Sequence, residues 1–343
     1  PKLRNPQFPV PETLDPVAAR ASLVLLLSKL LPCRGVPASL PVLVADALNS
    51  GGDRLPVVDF GELPEDVCRV VETSGAELYG ICALVDHESA ALAAVVGAVA
   101  SLSCEASKAD MAAACSLTDT GDGLVNKEQA LVASDLRVLL NGSKFVGKVK
   151  SDAFARIPAV IGKFREVVKS VHYNTRVELN SPAECSRGIA GEAICEVIHS
   201  LVFVLRRLGE SSLLRSKMNL DAVGDDGLKS SLLVLFEKNF GEGDLMSAGC
   251  KSAFDSYMRN DYENFVHAVK CLLGDVWRIV TWEGISALFA IEGWELIGKK
   301  GDEGPDANGE DAKGDKKADK KKKKKAVLGK GTSQIVQWIK DKV

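Results

Sequence analysis

Apolar residues recur along this chain with a helical rather than an alternating period. Phe164, Val167, Val168 and Val171 are spaced so that all four fall on one face of a helix. Stretches of the same character run at about Val17–Leu31, Leu40–Leu48, Glu65–Glu72, Glu88–Cys104 and Lys127–Leu140. Others follow at about Phe154–Leu179, Gly191–Leu208, Asp226–Asn239, Leu245–Met258 and Asp261–Ile297. Asp15-Pro16 opens the first, because Asp caps the free amides and Pro fits the first helical position. Pro32 stops it, and clusters such as Asn49-Ser50-Gly51-Gly52 and Asn141-Gly142 mark later breaks. Few segments read as strands, and Leu55–Phe60 is the best of them. The pattern predicts an all-α fold: a long-helix bundle with a small irregular N-terminal part.

The pattern ends after Gly298. An acidic Gly/Asp stretch then leads into six consecutive lysines, Lys320 to Lys325. The expected organisation is N-terminal helices and an irregular segment at 1–60 and a helical bundle at 61–298. A charged linker without a core of its own follows at 299–330, then a short helix at 331–343. That last helix carries Ile335, Val336, Trp338 and Ile339 behind Thr332 and Ser333. It is too short to be stable alone, so it is expected to dock.

Charge sharpens this division. From Lys299 to Val343 there are 14 lysines against 8 acids, whereas the preceding part carries 29 basic against 38 acidic residues. An acidic body with a basic tail places any polyanion contact in the tail. Nine cysteines form no CxxC pair and lie mostly in apolar stretches, which suits a reducing compartment. The longest apolar run, around Ala90 to Leu102, is too short for a bilayer, so no membrane span is expected.

Candidate chemistry is sparse. Gly142-Ser143-Lys144-Phe145-Val146-Gly147-Lys148-Val149 has the glycines and lysine of a phosphate-binding loop. Val149 stands where the Mg²⁺-holding hydroxyl belongs, and solvated lysines after a helix end explain the segment equally simply. Asp119-Thr120-Gly121-Asp122-Gly123 resembles a calcium loop in composition, but aligning Gly123 with the obligatory glycine leaves Asp122 as its one charged ligand. Cys195 and His199 lie four apart with Cys185 upstream, one ligand short of a zinc site. Asp86-His87-Glu88 reads as a helix-start cluster, and Trp277, Trp282, Trp294 and Phe289 as core. The expectation is no catalytic, cofactor or metal residue in this chain. The lysine run has two readings, a salt-sensitive polyphosphate contact or a solvated linker.

Several stretches taken in order resemble the long N-terminal extension of plant cytosolic histidyl-tRNA synthetases. They are Ala21–Leu26, Gly80–His87, Leu102–Asp110, Asp135–Gly142, Gly162–His172 and Val276–Val280, followed by the lysine run into Gly329–Ser333. The resemblance covers nearly the whole chain and implies a noncatalytic, mostly helical domain preceding a class II core, in the cytoplasm. The parent would use ATP and Mg to attach histidine to its tRNA, with the core in cis and a homodimer implied. Lys316, Lys317, Lys320, Lys321, Lys322, Lys323, Lys324, Lys325 and Lys330 would then aid tRNA binding. A fainter resemblance, in Ser101–Ala106 and Glu178–Ser181, is to the histidine and phenylalanine ammonia-lyases, which are helical bundles. This chain lacks the Ala-Ser-Gly from which their electrophile forms, so a shared scaffold without lyase activity is the expectation. A stand-alone helical interaction scaffold is the alternative.

Overall fold

The structure, a computed structural model, describes residues 3–4, 15–33, 35–50, 58–118, 121, 125–180, 189–241, 245–292 and 328–342. It is built from helices. In chain order these are α1 (Pro16–Leu30), α2 (Ser39–Asn49), α3 (Glu65–Thr73), α4 (Ala76–Ala106), α5 (Ala112–Cys115), α6 (Lys127–Leu139) and α7 (Asp152–Ala155). There follow α8 (Ile157–Asn180), α9 (Ile189–Asp221), α10 (Asp226–Phe240), α11 (Leu245–Met258), α12 (Tyr262–Glu292) and α13 (Lys330–Lys342). Two short strands, β1 (Leu3–Arg4) and β2 (Leu63–Pro64), pair antiparallel with Leu3 opposite Pro64. Val58–Phe60, the described part of the expected strand, is irregular, and the pairing falls three residues later. The charged linker lies outside the described residues.

The long helices α4, α9 and α12 form the centre, with α8 against α4 and α9, and α1 against α4. One apolar cluster runs from Ala18 through Val280 and unites α1 with the bundle. Asp15 caps α1 as its sequence suggests, accepting from Val17 N at 2.9 Å. Gly80 lets α4 cross α1 closely: a β-carbon there would lie 2.7 Å from the backbone nitrogen of Ser22.

Two helices outrun the sequence pattern. α4 begins at Ala76, because Leu78, Tyr79, Ile81 and Cys82 are all buried and leave no polar stripe to reveal the period. With α3 it makes an apolar stretch, Glu65–Ala106, long enough to cross a membrane by length and composition; more than half of its most apolar part is buried in the body. α9 continues past Leu208 for another thirteen residues to Asp221. Gly209-Glu210-Ser211-Ser212 resembles a break in sequence, yet Ser212, Arg215, Ser216 and Asn219 form a polar face turned inward.

That face meets Glu283 on α12. Arg215 Nε donates to Glu283 Oε1 at 2.6 Å and Nη2 to Oε2 at 2.9 Å, with both side chains fully buried. Ser103 Oγ on α4 donates to Oε1 at 2.8 Å, and the Ser212 hydroxyl donates to Oε2. Asn219 Nδ2 reaches Ser103 Oγ, Ser286 Oγ and the Glu283 carbonyl. Every oxygen of the buried carboxylate has two donors, which is what makes a buried charge tolerable. The network ties the three central helices together.

Candidate functional site at the docked C-terminal segment

The carboxylate of Glu105, near the end of α4, gathers two distant parts of the chain. Its Oε1 accepts from Gly329 N at 2.7 Å and from Thr332 Oγ1 at 2.9 Å, and its Oε2 accepts from Ser143 Oγ at 2.6 Å. Glu105 is 1% exposed, so these three donors replace the water it has lost. Lys330 N adds a bond to Asn141 O at 2.9 Å. Below them Val336 of α13 is buried against Leu102, Ala106 and Ala287, with Leu328 and Ile335 alongside. The short helix docks on the body, while Trp338 is left 63% exposed.

Lys330 stands exposed at the first position of α13. The other eight lysines expected to contact nucleic acid, Lys316, Lys317 and Lys320 to Lys325, lie outside the described residues, immediately before this docked segment.

The phosphate-loop resemblance does not survive in the fold. A helix, α6, precedes it instead of a strand, and most of the amides such a loop would offer to a phosphate are already bonded. Gly147 N donates to Ala109 O at 2.8 Å, Lys148 N to Lys108 O at 3.1 Å and Val149 N to Lys108 O at 2.9 Å. Phe145 N is taken by Ser143 Oγ at 3.1 Å. Gly142 and Gly147, at φ of 81° and 96°, turn the loop so that this pairing is possible.

The remaining candidates resolve structurally. Asp86 lies mid-helix in α4 rather than at a start and pairs with His172 Nδ1 at 2.9 Å. His199 stacks on Tyr257 at 4.5 Å between Phe203 and Phe254, and burial lowers its pKa. Cys195 is buried beside it, its thiol raised by burial. Cys185, Trp294 and nearly all of the calcium-like stretch lie outside the described residues. Among those described, no three His, Cys, Asp or Glu side chains stand together as a metal would need. Trp277 donates Nε1 to Glu88 O at 3.3 Å, and Trp282 packs on Phe236 and Phe240. A groove of about 990 Å³ opens between α8 and α9, lined by Val160, Phe203 and Leu214 with Arg156, Lys163 and Arg207 at its edges.

No family model matches the chain. Two curated proteins do. The cytoplasmic histidine–tRNA ligase of Arabidopsis thaliana is 40% identical over 356 aligned positions, covering all of this chain and 39% of that protein. That of Oryza sativa subsp. japonica is 33% identical over 279 positions, covering 76% of this chain and 34% of the rice protein. The chain is a relative of the plant cytoplasmic histidine–tRNA ligases. It spans well under half the length of these relatives. Among solved structures, a tyrosine aminomutase from Streptomyces globisporus has a TM-score of 0.61 at 15% identity, over 81% of this chain and 71% of that one. The ergothioneine-degrading ergothionase of Treponema denticola has a TM-score of 0.60 at 14% identity, over 94% of this chain and 75% of its own. At such identities the likeness is one of fold: the helical scaffold is shared, as the fainter resemblance in the sequence implied.

Proposed function

We propose that this chain is a noncatalytic helical domain appended to a cytoplasmic histidine–tRNA ligase, and that its lysine-rich segment adds affinity for tRNA. The carrying observation is the alignment of the whole chain, at 40% identity, with a minority of a ligase's length. The charge distribution supports the division of labour: the body is acidic, and Lys316, Lys317 and Lys320 to Lys325 lie just ahead of Lys330 at the dock. In this reading the parent enzyme binds ATP, Mg and histidine in a core outside the alignment, and dimerises there. The helical body anchors the lysine segment at both ends and keeps it beside the enzyme. Lysines contact phosphates without reading sequence, so the contribution is to affinity and encounter rate rather than to tRNA choice.

The test replaces Lys320 to Lys325 by Gln and measures binding of a labelled tRNA transcript across a salt series. Loss of affinity and a shallower salt dependence are expected. Unchanged affinity and slope would remove the lysine run from the function. The α8–α9 groove, with Phe203 and Leu214 each 50% exposed, favours a second reading in which the body is also an interaction scaffold.

A further inference from the structure

We propose that Lys108, Lys144, Lys148 and Lys150 form, with Lys330, a folded basic platform that binds the phosphate backbone of RNA. The proposal deepens the reading above, since it adds a built surface to the lysine run.

Backbone hydrogen bonds bring these five together from three parts of the sequence. Lys108 follows the end of α4, and its carbonyl accepts from Lys148 N and Val149 N at 3.1 and 2.9 Å. Asp110 N returns a bond to Val149 O at 2.7 Å, which fixes Lys150 next to the pairing. Ser143, beside Lys144, and Gly329, beside Lys330, donate to opposite oxygens of the same Glu105 carboxylate. All five lysines are exposed.

These five combine a shared backbone frame with a lack of ion-pair partners among the described residues. Some other surface cations of the acidic body stand in ion pairs, such as Arg69 with Asp66, Lys163 with Glu166, Arg165 with Asp135, Lys169 with Glu128 and Lys229 with Asp221, whereas scattered ones such as Lys127, Arg176 and Lys238 have none with a described carboxylate. None of the five platform lysines is within ion-pairing distance of a described carboxylate. The acids nearest in sequence are engaged otherwise. Asp110 Oδ1 accepts from Ala112 N, Asp152 pairs with Arg156, and Glu105 is buried under its three donors. Five exposed ammonium groups on a hydrogen-bonded frame make a positive surface that an anion with several charges can bridge. In the sequence, Lys325 lies three residues before Leu328.

RNA fits better than a membrane. A lysine patch holds a bilayer surface best when apolar side chains stand beside it for insertion. Here Val146 packs against the core, and Val149, 39% exposed, is too small an apolar area to insert by itself.

The experiment uses the 343-residue chain and a fluorescein-labelled tRNA transcript, read by anisotropy in potassium chloride from about 50 to 200 mM. The main variant is K108N/K144Q/K148Q/K150Q; Asn serves at 108 because φ there is 56°. Helix content by circular dichroism and the melting midpoint are expected to hold. Affinity at about 100 mM salt is expected to fall tenfold or more, and the salt slope to lessen by about 2 to 3. The double variant K144E/K148E, which leaves Lys108 alone, is expected to weaken binding as well, and K144R/K148R to retain it. If the parent chain binds tRNA and the Lys320–Lys325 variant weakens while the platform variants do not, the platform is overturned and the lysine-run reading stands. If the platform variants weaken and the run variant does not, the platform holds and the run falls. Absence of tRNA binding by the parent chain overturns both, as does capture by phosphatidylserine vesicles in place of tRNA.

Discussion

Arg215 and Glu283 meet through two parallel N–H···O bonds with neither side chain exposed to solvent. Removing one partner leaves the other charged and dry. R215M is therefore expected to lower the unfolding free energy by about 3–5 kcal/mol. R215M/E283L, which removes both charges, is expected to be more stable than R215M alone. Urea denaturation followed by circular dichroism checks the order. If the double variant is less stable than R215M, a lone Glu283 held by Ser103 and Ser212 is not the burden expected.

Glu105 holds the C-terminal segment by two hydrogen bonds, from Gly329 and Thr332, and the Ser143 loop by a third. Charge-assisted bonds of this kind contribute about 1.5–3 kcal/mol each when a partner is removed. E105A is expected to speed hydrogen exchange at the amides of α13 by ten- to a hundredfold, roughly 1.4–3 kcal/mol of local stability. The amides of α9 should keep their protection, because they belong to the central network.

Glu77 is buried, and its Oε2 finds no hydrogen-bond partner among the described residues. Burial, with the nearby Glu263 carboxylate adding to it, raises its pKa to about 7. The folded chain then holds a proton that the unfolded chain releases near its ordinary value of 4.5. Its contribution to stability is complete below that value and is lost as pH rises through about 7. E77Q is expected to flatten that part of the profile. It should exceed the parent by on the order of 2 kcal/mol at a pH about one unit above the raised pKa, and match it in acid. Denaturation midpoints across pH give the measurement.

Two helical glycines make opposite predictions. A β-carbon on Gly80 would lie 2.7 and 2.8 Å from the nitrogen and α-carbon of Ser22, backbone that cannot swing aside. G80A is expected to destabilise by about 1–3 kcal/mol despite the better helix propensity of Ala. Gly274 of α12 has nothing within 4 Å of such an atom, so G274A is expected to stabilise by about 0.5–1 kcal/mol. Thermal melts of the two variants should move in opposite directions.

What the sequence revealed follows from which contrasts it contains. Helices with one wet face, such as α8 and α11, keep their period, and α11 runs from Leu245 to Met258 as the pattern predicts. The start of α4 is hidden because Leu78, Tyr79, Ile81 and Cys82 are buried on all sides. The second half of α9 is hidden for the opposite reason: Ser212, Arg215 and Asn219 look like surface, and their partner Glu283 is 64 or more residues away. Arg215 and Glu283 each stand out as charges in helical sequence, but neither indicates the other. The docking of α13 was legible from its apolar residues, whereas Glu105 as its receptor was not. Lys144 and Lys148 were visible as part of a loop; only the fold sets them beside Lys108 and Lys330.

Ile291, close to the end of α12, and Leu328, at the return of the chain, pack on the same apolar cluster. The chain is therefore held on the body on both sides of residues 293–327, and the price of bringing two such ends together grows only slowly with the length between them. Each doubling adds about 0.6 kcal/mol. Insertions or deletions between the two anchors should leave the helical body intact. Selection can lengthen or shorten that segment at little cost to the body, provided that Glu105 and Thr332 keep its far end in place.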